Sequence, residues 1–175
     1  MLDAVRARIR DVPDFPRPGI VFKDLTPVLA DPLLFHGVVS ALAARVATLE
    51  ITEVVGIEAR GFILGGALAA TLRRGFIPVR KPGKLPRKTL REAYGLEYGD
   101  DALEVHVDAV VRNARVLVVD DLLATGGTAV ATEKLIRRAG GTVVGFAFLV
   151  ELAFLRGAER LGPDRIVSLL KYDHP

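Results

Sequence analysis

The stretch Arg115-Val-Leu-Val-Val-Asp-Asp-Leu-Leu-Ala-Thr-Gly-Gly-Thr-Ala129 decides how the chain is read. Val116 to Val119 are apolar and mostly β-branched. Such a run suits a strand buried on both faces, as in a parallel sheet covered by helices. Asp120 and Asp121 follow at once, then the small residues Ala124-Thr125-Gly126-Gly127-Thr128, then a helical pattern from about Ala129 to Ala139. Open α/β sheets place ligands where the carboxyl end of a strand faces a helix start. The free amides of that start and the hydroxyls of Thr125 and Thr128 suit a phosphate dianion, and the paired glycines let the backbone approach its oxygens. The acids would repel a phosphate, so they are expected to face hydroxyl groups, and a ribose offers an adjacent pair. The stretch therefore points to a phosphorylated ribose. It is not a Walker loop, because no Gly-Lys-Ser/Thr follows the glycines, and it lacks the G-x-G-x-x-G of a dinucleotide site.

A second strand-to-helix turn lies upstream, in Gly56-Ile-Glu-Ala-Arg-Gly-Phe-Ile-Leu-Gly66, between a strand at Glu53–Ile57 and a helix ending near Arg74. Arg60 sits at that helix start, either as an anion ligand or as the ion-pair partner of a neighbour. After a strand at Phe76–Val79 comes Arg80-Lys-Pro-Gly-Lys-Leu-Pro-Arg-Lys-Thr-Leu-Arg91, with six basic residues in twelve. Taken by itself this is a nucleic-acid patch or a solvated loop. Between two anion-binding turns it reads better as a clamp for a pyrophosphate. Ala93-Tyr-Gly-Leu-Glu-Tyr-Gly-Asp100 then makes a mobile hairpin tip or lid. Leu103, Val105 and Val107 alternate with Glu104, His106 and Asp108, which predicts a half-exposed strand with His106 on its wet face and not a base.

The remaining segments complete an alternating pattern. Leu2, Val5 and Ile9 have helical spacing; Val12–Gly19 cannot be helical with three prolines in six residues; Ile20–Pro27 is extended. Asp31-Pro32 is a cap followed by proline at the first helical position, and Leu34, Val38, Leu42 and Val46 supply the stripe. Gly140-Gly141 ends the helix after the central motif, Thr142–Leu149 is a strand, Ala153–Leu161 a helical turn or two, and Arg165–Leu170 a last strand. Strands alternating with helices predict an α/β fold, a mostly parallel central sheet flanked by helices.

Composition limits the alternatives. The 175 residues suit one domain, and 50% hydrophobic content with mean hydropathy +0.33 indicates a real core and not disorder. No apolar run reaches membrane-spanning length, and Met1–Arg10 lacks a signal-peptide core, so the cytoplasm is the expected location. There is no cysteine and there are three histidines, which argues against disulfides and structural zinc. A net charge of +3 favours anionic partners without choosing between small molecules and nucleic acid.

The central stretch resembles the phosphoribosyl-diphosphate motif of the type I phosphoribosyltransferases, and its thirteen residues from Val116 to Thr128 are similar to those of the adenine-specific branch. That resemblance implies transfer of a phosphoribosyl group from 5-phosphoribosyl 1-diphosphate to adenine, giving AMP and diphosphate, with Mg2+ held mainly through the substrate and not directly by protein groups. It implies that Ala124–Thr128 take the 5′-phosphate and that Asp120 and Asp121 take the ribose hydroxyls. Phe15-Pro-Arg-Pro-Gly-Ile-Val-Phe-Lys-Asp-Leu-Thr-Pro27 looks like the family's hood over adenine, within residues 1–27: Val21 would read the base through its main chain, Phe22 would pack near the ring, and Lys23 stands where the family has a basic residue. Glu58-Ala-Arg-Gly61 matches the diphosphate turn, with Arg60 on the leaving group and a non-proline cis peptide bond implied. Lys81 and Lys84 match the diphosphate clamp, and one of them could cross between the subunits of a homodimer. The clamp and lid together span 81–104. Leu-Glu-Tyr-Gly matches the closing loop, with Glu97 holding or protonating N7 of the purine and Tyr98 excluding water. No role is assigned to Arg87, Lys88 or Arg91. Neither nucleic acid nor membrane is expected as a partner. A transferase for another base and a nucleic-acid-binding sensor of the same diphosphate remain as rivals; the hood argues against the first, and the lack of a helix-turn-helix before it against the second.

Overall fold

The computed structural model describes residues 1–95 and 101–175. Its elements run, in order, α1 (Leu2–Arg8), β1 (Arg10–Pro13), β2 (Val21–Asp24), α2 (Thr26–Leu29), α3 (Pro32–Val46), β3 (Glu53–Ile57), α4 (Gly61–Leu72), β4 (Gly75–Val79), β5 (Thr89–Tyr94), β6 (Asp101–His106), β7 (Arg115–Leu123), α5 (Gly127–Arg138), β8 (Thr142–Leu152), α6 (Gly157–Leu161) and β9 (Ile166–Tyr172). The central sheet has five strands in the order β4-β3-β7-β8-β9, every neighbouring pair parallel.

The apolar run of β7 is buried on both faces, as its composition requires. Val116 and Val118 join one core layer with Phe146, Phe148 and the α5 residues Leu135 and Ile136. Leu117 and Val119 join the other with Val38 and Leu42 of α3 and Leu64 and Leu68 of α4. Each such side chain contributes on the order of 2 kcal/mol by leaving water. Helix α3 starts where the Asp31-Pro32 pair demands, the Asp31 carboxylate accepting from the Leu33 and Leu34 amides at 3.0 and 3.1 Å. That cap stabilises the helix by about 1 kcal/mol.

β3 leaves through α4 to β4 on one side; β7 leaves through α5 to β8 on the other. The strand order therefore reverses between β3 and β7, and the crevice at their carboxyl ends is the switch point where such sheets take ligands. Both turns singled out in the sequence open into that crevice.

Several boundaries differ from the sequence expectation. β7 continues to Leu123, so Asp120 and Asp121 lie inside the strand and not after it. The reason is its partner: β8 runs on to Leu152 and pairs with β7 through Asp120↔Phe148, Leu122↔Val150 and Leu123↔Glu151, which overrides the poor strand propensity of aspartate. α5 begins at Gly127, inside the expected loop. Arg10–Pro13, of which Val12 and Pro13 are expected only to be non-helical, is a strand paired antiparallel with β2, its one proline at the strand end. β6 is not half exposed: Ala102, Leu103, Glu104 and Val105 are all buried, because β5 and β6 form a hairpin packed against α5, while Val107 beyond the strand is exposed. His106 is likewise corrected; it is half-buried, and its Nε2 is buried with no partner among the described residues.

Candidate active site

The turn after β7 offers bare backbone. Gly126 takes a left-handed conformation (φ 79°) just before α5, and a Cβ there would lie 3.0 Å from the Gly157 carbonyl oxygen, so only glycine fits. No side chain caps α5, which leaves its first amides free to receive an anion. A cavity of about 610 Å3 lies over Ala124–Thr128, walled by Tyr94 and Gly95 of the hairpin end, Lys134 of α5 and Arg160 of α6. Its size suits a small ligand.

The turn after β3 is filled with charge. Its Glu58–Ala59 peptide bond is cis, as the resemblance implies. Arg60 precedes α4 and sits across the crevice from the acids, its Nε 2.7 Å from Asp121 Oδ2. The approach is close because Gly61 has no side chain: a Cβ there would meet Asp120 Oδ1 at 2.8 Å and the Val119 carbonyl oxygen at 2.9 Å. Of the two readings of Arg60, the ion pair is therefore realised, and it places the guanidinium at the anion crevice as well.

The acids are poised and incompletely satisfied. Asp120 Oδ1 accepts from the Asp121 amide at 2.8 Å. Burial and the neighbouring Asp121 charge raise the Asp120 carboxyl well above the ordinary carboxylate range. Burial also raises Asp121, with the Arg60 guanidinium pulling the other way. Asp121 is 4% exposed, and its Oδ2 lies near Arg60 without an aligned hydrogen bond. The short Arg60 distance is thus a charge contact, and this buried oxygen has no hydrogen bond of its own. Tyr94, on the cavity wall, is raised by burial first and then by Asp101 and Asp120.

Glu58 joins the turn to the basic clamp. Its carboxylate accepts from Arg80 Nε and Nη2 at 3.2 and 3.1 Å and from the Lys81 amide at 2.9 Å, and the Arg80 hydrogen bonds hold its carboxyl below the usual range. Arg80 also donates to the Lys84 carbonyl at 3.1 Å. Lys81 and Lys84 are thus fixed by their main chains beside the turn after β3 while both side chains stay exposed. Glu104 secures the hairpin to the same segment, exchanging main-chain hydrogen bonds with Arg80 at 2.9 and 2.7 Å.

The hood reaches the crevice through Phe22, whose ring lies 5.0 Å from the Arg60 guanidinium carbon and packs edge-on against Phe15. Val21 lies beside it on β2. Lys23 does not present its side chain there: it is 3% exposed, paired with Asp11 at 2.8 Å and set over the Tyr172 ring. Among the expected site residues, Asp120, Asp121, Arg60 and Phe22 come together, and Ala124–Thr128 line the adjoining cavity. Glu97 and Tyr98 lie outside the described residues. The sequence reading passed over Glu58 as a hub and Tyr94, Lys134 and Arg160 as walls. Glu58 stood inside a quoted motif; Arg160 is 35 residues from the Thr125 carbonyl it contacts, and no local pattern links them.

Residues 24–171 match the family model described as phosphoribosyl transferase domain. The adenine phosphoribosyltransferase of Myxococcus xanthus is 58% identical over 168 residues, covering 96% of this chain and 91% of that protein. The enzyme of that name from an Anaeromyxobacter species is 58% identical over 171 residues, covering 98% and 97%. The crystal structure of adenine phosphoribosyltransferase from Thermoanaerobacter pseudethanolicus superposes with TM-score 0.95 at 49% identity, covering 98% of this chain and 100% of that one. The Saccharomyces cerevisiae adenine phosphoribosyltransferase, complexed with an imino-altritol bisphosphate and adenine, superposes with TM-score 0.90 at 35% identity, covering 97% and 98%.

Proposed function

The chain belongs to the phosphoribosyl transferase family, and from that premise we infer that it transfers the phosphoribosyl group of 5-phosphoribosyl 1-diphosphate to adenine, giving AMP and diphosphate in purine salvage. The observation that carries the site assignment is the crevice itself. An uncapped helix start with a cavity over it lies beside a buried carboxylate oxygen that has no hydrogen bond and faces an arginine. Ala124–Thr128 seat the 5′-phosphate, Asp120 and Asp121 accept from the ribose hydroxyls, and Arg60 with Lys81 and Lys84 holds the diphosphate.

Breaking the bond between C1 and the diphosphate oxygen builds positive charge on the sugar ring and negative charge on the leaving group, with adenine N9 supplying the new bond. The acids lie near the first charge and Arg60 near the second, so fixed charges stabilise both as they develop. The remote 5′-phosphate contributes binding energy that orients the reacting carbon. Phe22 and the main chain of Val21 cover the base. A base with a 6-oxo group leaves the main-chain groups unpaired, which disfavours it. The side chain of Lys23 takes no part; only its main chain is available. Glu97 holds or protonates N7, and Tyr98 keeps water from the activated sugar.

Magnesium fits as a substrate-borne ion. No group of three or more His, Cys, Asp or Glu able to hold a metal occurs among the described residues. Mg2+ keeps several waters and takes one or two carboxylates together with phosphate oxygens, so the substrate would supply most ligands, with Asp120 and Asp121 close at hand. When bound, it supplies counter-charge to the diphosphate.

The chain acts as one domain, 1–175, with the hood at 1–27 and the clamp and lid at 81–104. It works as a homodimer in the cytoplasm, Lys81 or Lys84 crossing between subunits; their exposed side chains support that placement. No helix among the described residues is long and apolar enough to cross a membrane. Product assays with adenine, guanine, xanthine and orotate test the reading. AMP formation is expected, with the other bases turned over far more slowly; equal turnover of a 6-oxopurine would remove the hood from the account. Glu97→Gln is expected to lower kcat far more than donor affinity, and an unchanged kcat takes Glu97 out of the chemistry.

A further inference from the structure

Helix α6 lies against the phosphate loop. A Cβ on Gly157 would meet the Ala124 carbonyl oxygen at 2.2 Å and the Gly126 nitrogen at 3.0 Å, so backbone rests on backbone there. Leu161, 2% exposed, fixes the other end of α6 in the core. From that platform Arg160 reaches back. Its Nη1 donates to the Thr125 carbonyl at 3.1 Å, and its side chain forms part of the cavity wall.

The cavity has two cationic walls, Lys134 and Arg160, and they differ. The Lys134 ammonium lies 3.2 Å from a Glu92 oxygen, so much of its charge is answered. Arg160 has no carboxylate partner among the described residues; the nearby Glu159 is taken by Arg156 at 2.7 Å. A guanidinium has five N–H donors in a planar fork suited to phosphate, and the Thr125 carbonyl uses one.

We propose that Arg160 belongs to the 5′-phosphate subsite. It donates to the Thr125 carbonyl, so that this oxygen meets a donor of its own instead of opposing an anion. Its remaining N–H groups bring one positive charge to the phosphate. The inference rests on the proposal that Ala124–Thr128 seat the 5′-phosphate.

The test is AMP affinity by calorimetry at pH 5 and pH 7.5, conditions that span the second ionisation of a phosphate monoester near pH ~6. Wild type is expected to bind AMP more tightly at pH 7.5. Arg160→Gln should weaken AMP binding at pH 7.5 about tenfold, in line with one charge-assisted hydrogen bond. It should also shrink the gain between the two pH values, whereas Arg160→Lys, which keeps the charge, should retain most of that gain. Titration of Asp120 and Asp121 is common to all three proteins and cancels in the comparison. Arg156→Gln removes the same charge from the start of the same helix, away from the cavity, and should leave AMP affinity within about twofold of wild type. Unchanged affinity and pH gain in Arg160→Gln overturn the inference, as does an equal loss in Arg156→Gln. No pH gain in wild type overturns the seating of the phosphate and this inference with it; a wild-type gain that Arg160→Gln shares in full overturns this inference only.

Discussion

The turn after β3 and the turn after β7 stand side by side at the carboxyl ends of two inner strands, one packed with charge and the other with bare backbone. Around Glu58-Ala-Arg-Gly61, the carboxylates of Glu58 and Asp121 meet the guanidinium groups of Arg80 and Arg60. Around Ala124–Thr128 no side chain caps the helix, and the space above is a cavity. The proposed ligand accounts for the difference through its two ends. A phosphate that only anchors needs a rigid cradle of amides, which changes little when it arrives. Groups whose charge changes in the reaction need counter-charges already in place, and a protein that holds those before substrate binds must neutralise them with one another.

If the β7 turn is a rigid cradle, it should tolerate intrusion worse than its neighbour. Gly157→Ala places a methyl 2.2 Å from the Ala124 carbonyl oxygen, with backbone on both sides and nothing able to rotate away. We expect a loss of about 3 kcal/mol in unfolding free energy, at the upper end for overpacking, together with loss of AMP binding. Near-normal AMP affinity in a folded Gly157→Ala protein would mean that α6 does not hold the loop. Gly61→Ala, in the charged turn, meets Asp120 Oδ1 at 2.8 Å and the Val119 carbonyl oxygen at 2.9 Å. One contact is a side-chain atom that can yield, so the expected cost is smaller, about 2 kcal/mol. Donor affinity should still fall, because Arg60 and Asp121 are pushed apart. Equal costs in the two variants would erase the contrast between the turns.

The two turns were not equally legible in the sequence. The β7 turn works through backbone, and backbone exposure is announced by local residues: an apolar run, a break, small residues and glycines. Hence its strand, loop and helix were legible to within a few residues. The missed length of β7 came from β8, a partner whose own extension to Leu152 no local pattern in β7 reports. The charged turn works through pairs brought together by neighbouring strands, Glu58 with Arg80 after β4 and Arg60 with Asp121 on β7, and only its arginine could be guessed. Glu58 takes its meaning from Arg80, 22 residues away. Lys23 shows the opposite failure: the position matched a basic site residue, but Asp11 on the paired strand claims its ammonium. Which cation faces the ligand and which is spent internally is a tertiary fact.

A finer test addresses the self-neutralised network. Glu58 is held below its ordinary range chiefly by the Arg80 hydrogen bonds, so its ionised form stabilises the fold. A carboxyl with a lowered folded value contributes stability above its unfolded value of about 4.3 and loses it as pH falls through the folded one. Glu58→Gln should therefore cost about 1 kcal/mol at neutral pH, and the gap from wild type should close in acid. Urea unfolding at pH 7 and pH 3.5 measures both. A gap that is the same at the two pH values would show that the Glu58 charge is irrelevant to the turn.

Asp120 should respond in the opposite sense and by the smallest amount. Burial, then the Asp121 charge, raises its folded value, so ionising it works against the fold. The sign reverses accordingly: the protonated acid is favoured at low pH, and the stability it carries is lost as pH rises through the raised folded value. Asp120→Asn keeps an acceptor for the Asp121 amide, the contact seen at 2.8 Å, and removes the charge. At neutral pH the variant should be more stable than wild type by up to about 1 kcal/mol, and the advantage should fade toward pH 4. Its turnover should drop steeply, since the carboxylate whose ionisation works against the fold is the one expected at the ribose hydroxyls. Thermal unfolding across that pH range, paired with AMP formation, separates the two effects. If Asp120→Asn is instead less stable at every pH, the acid is a structural strand residue; the readiness of the charged turn must then rest on Asp121 and Arg60.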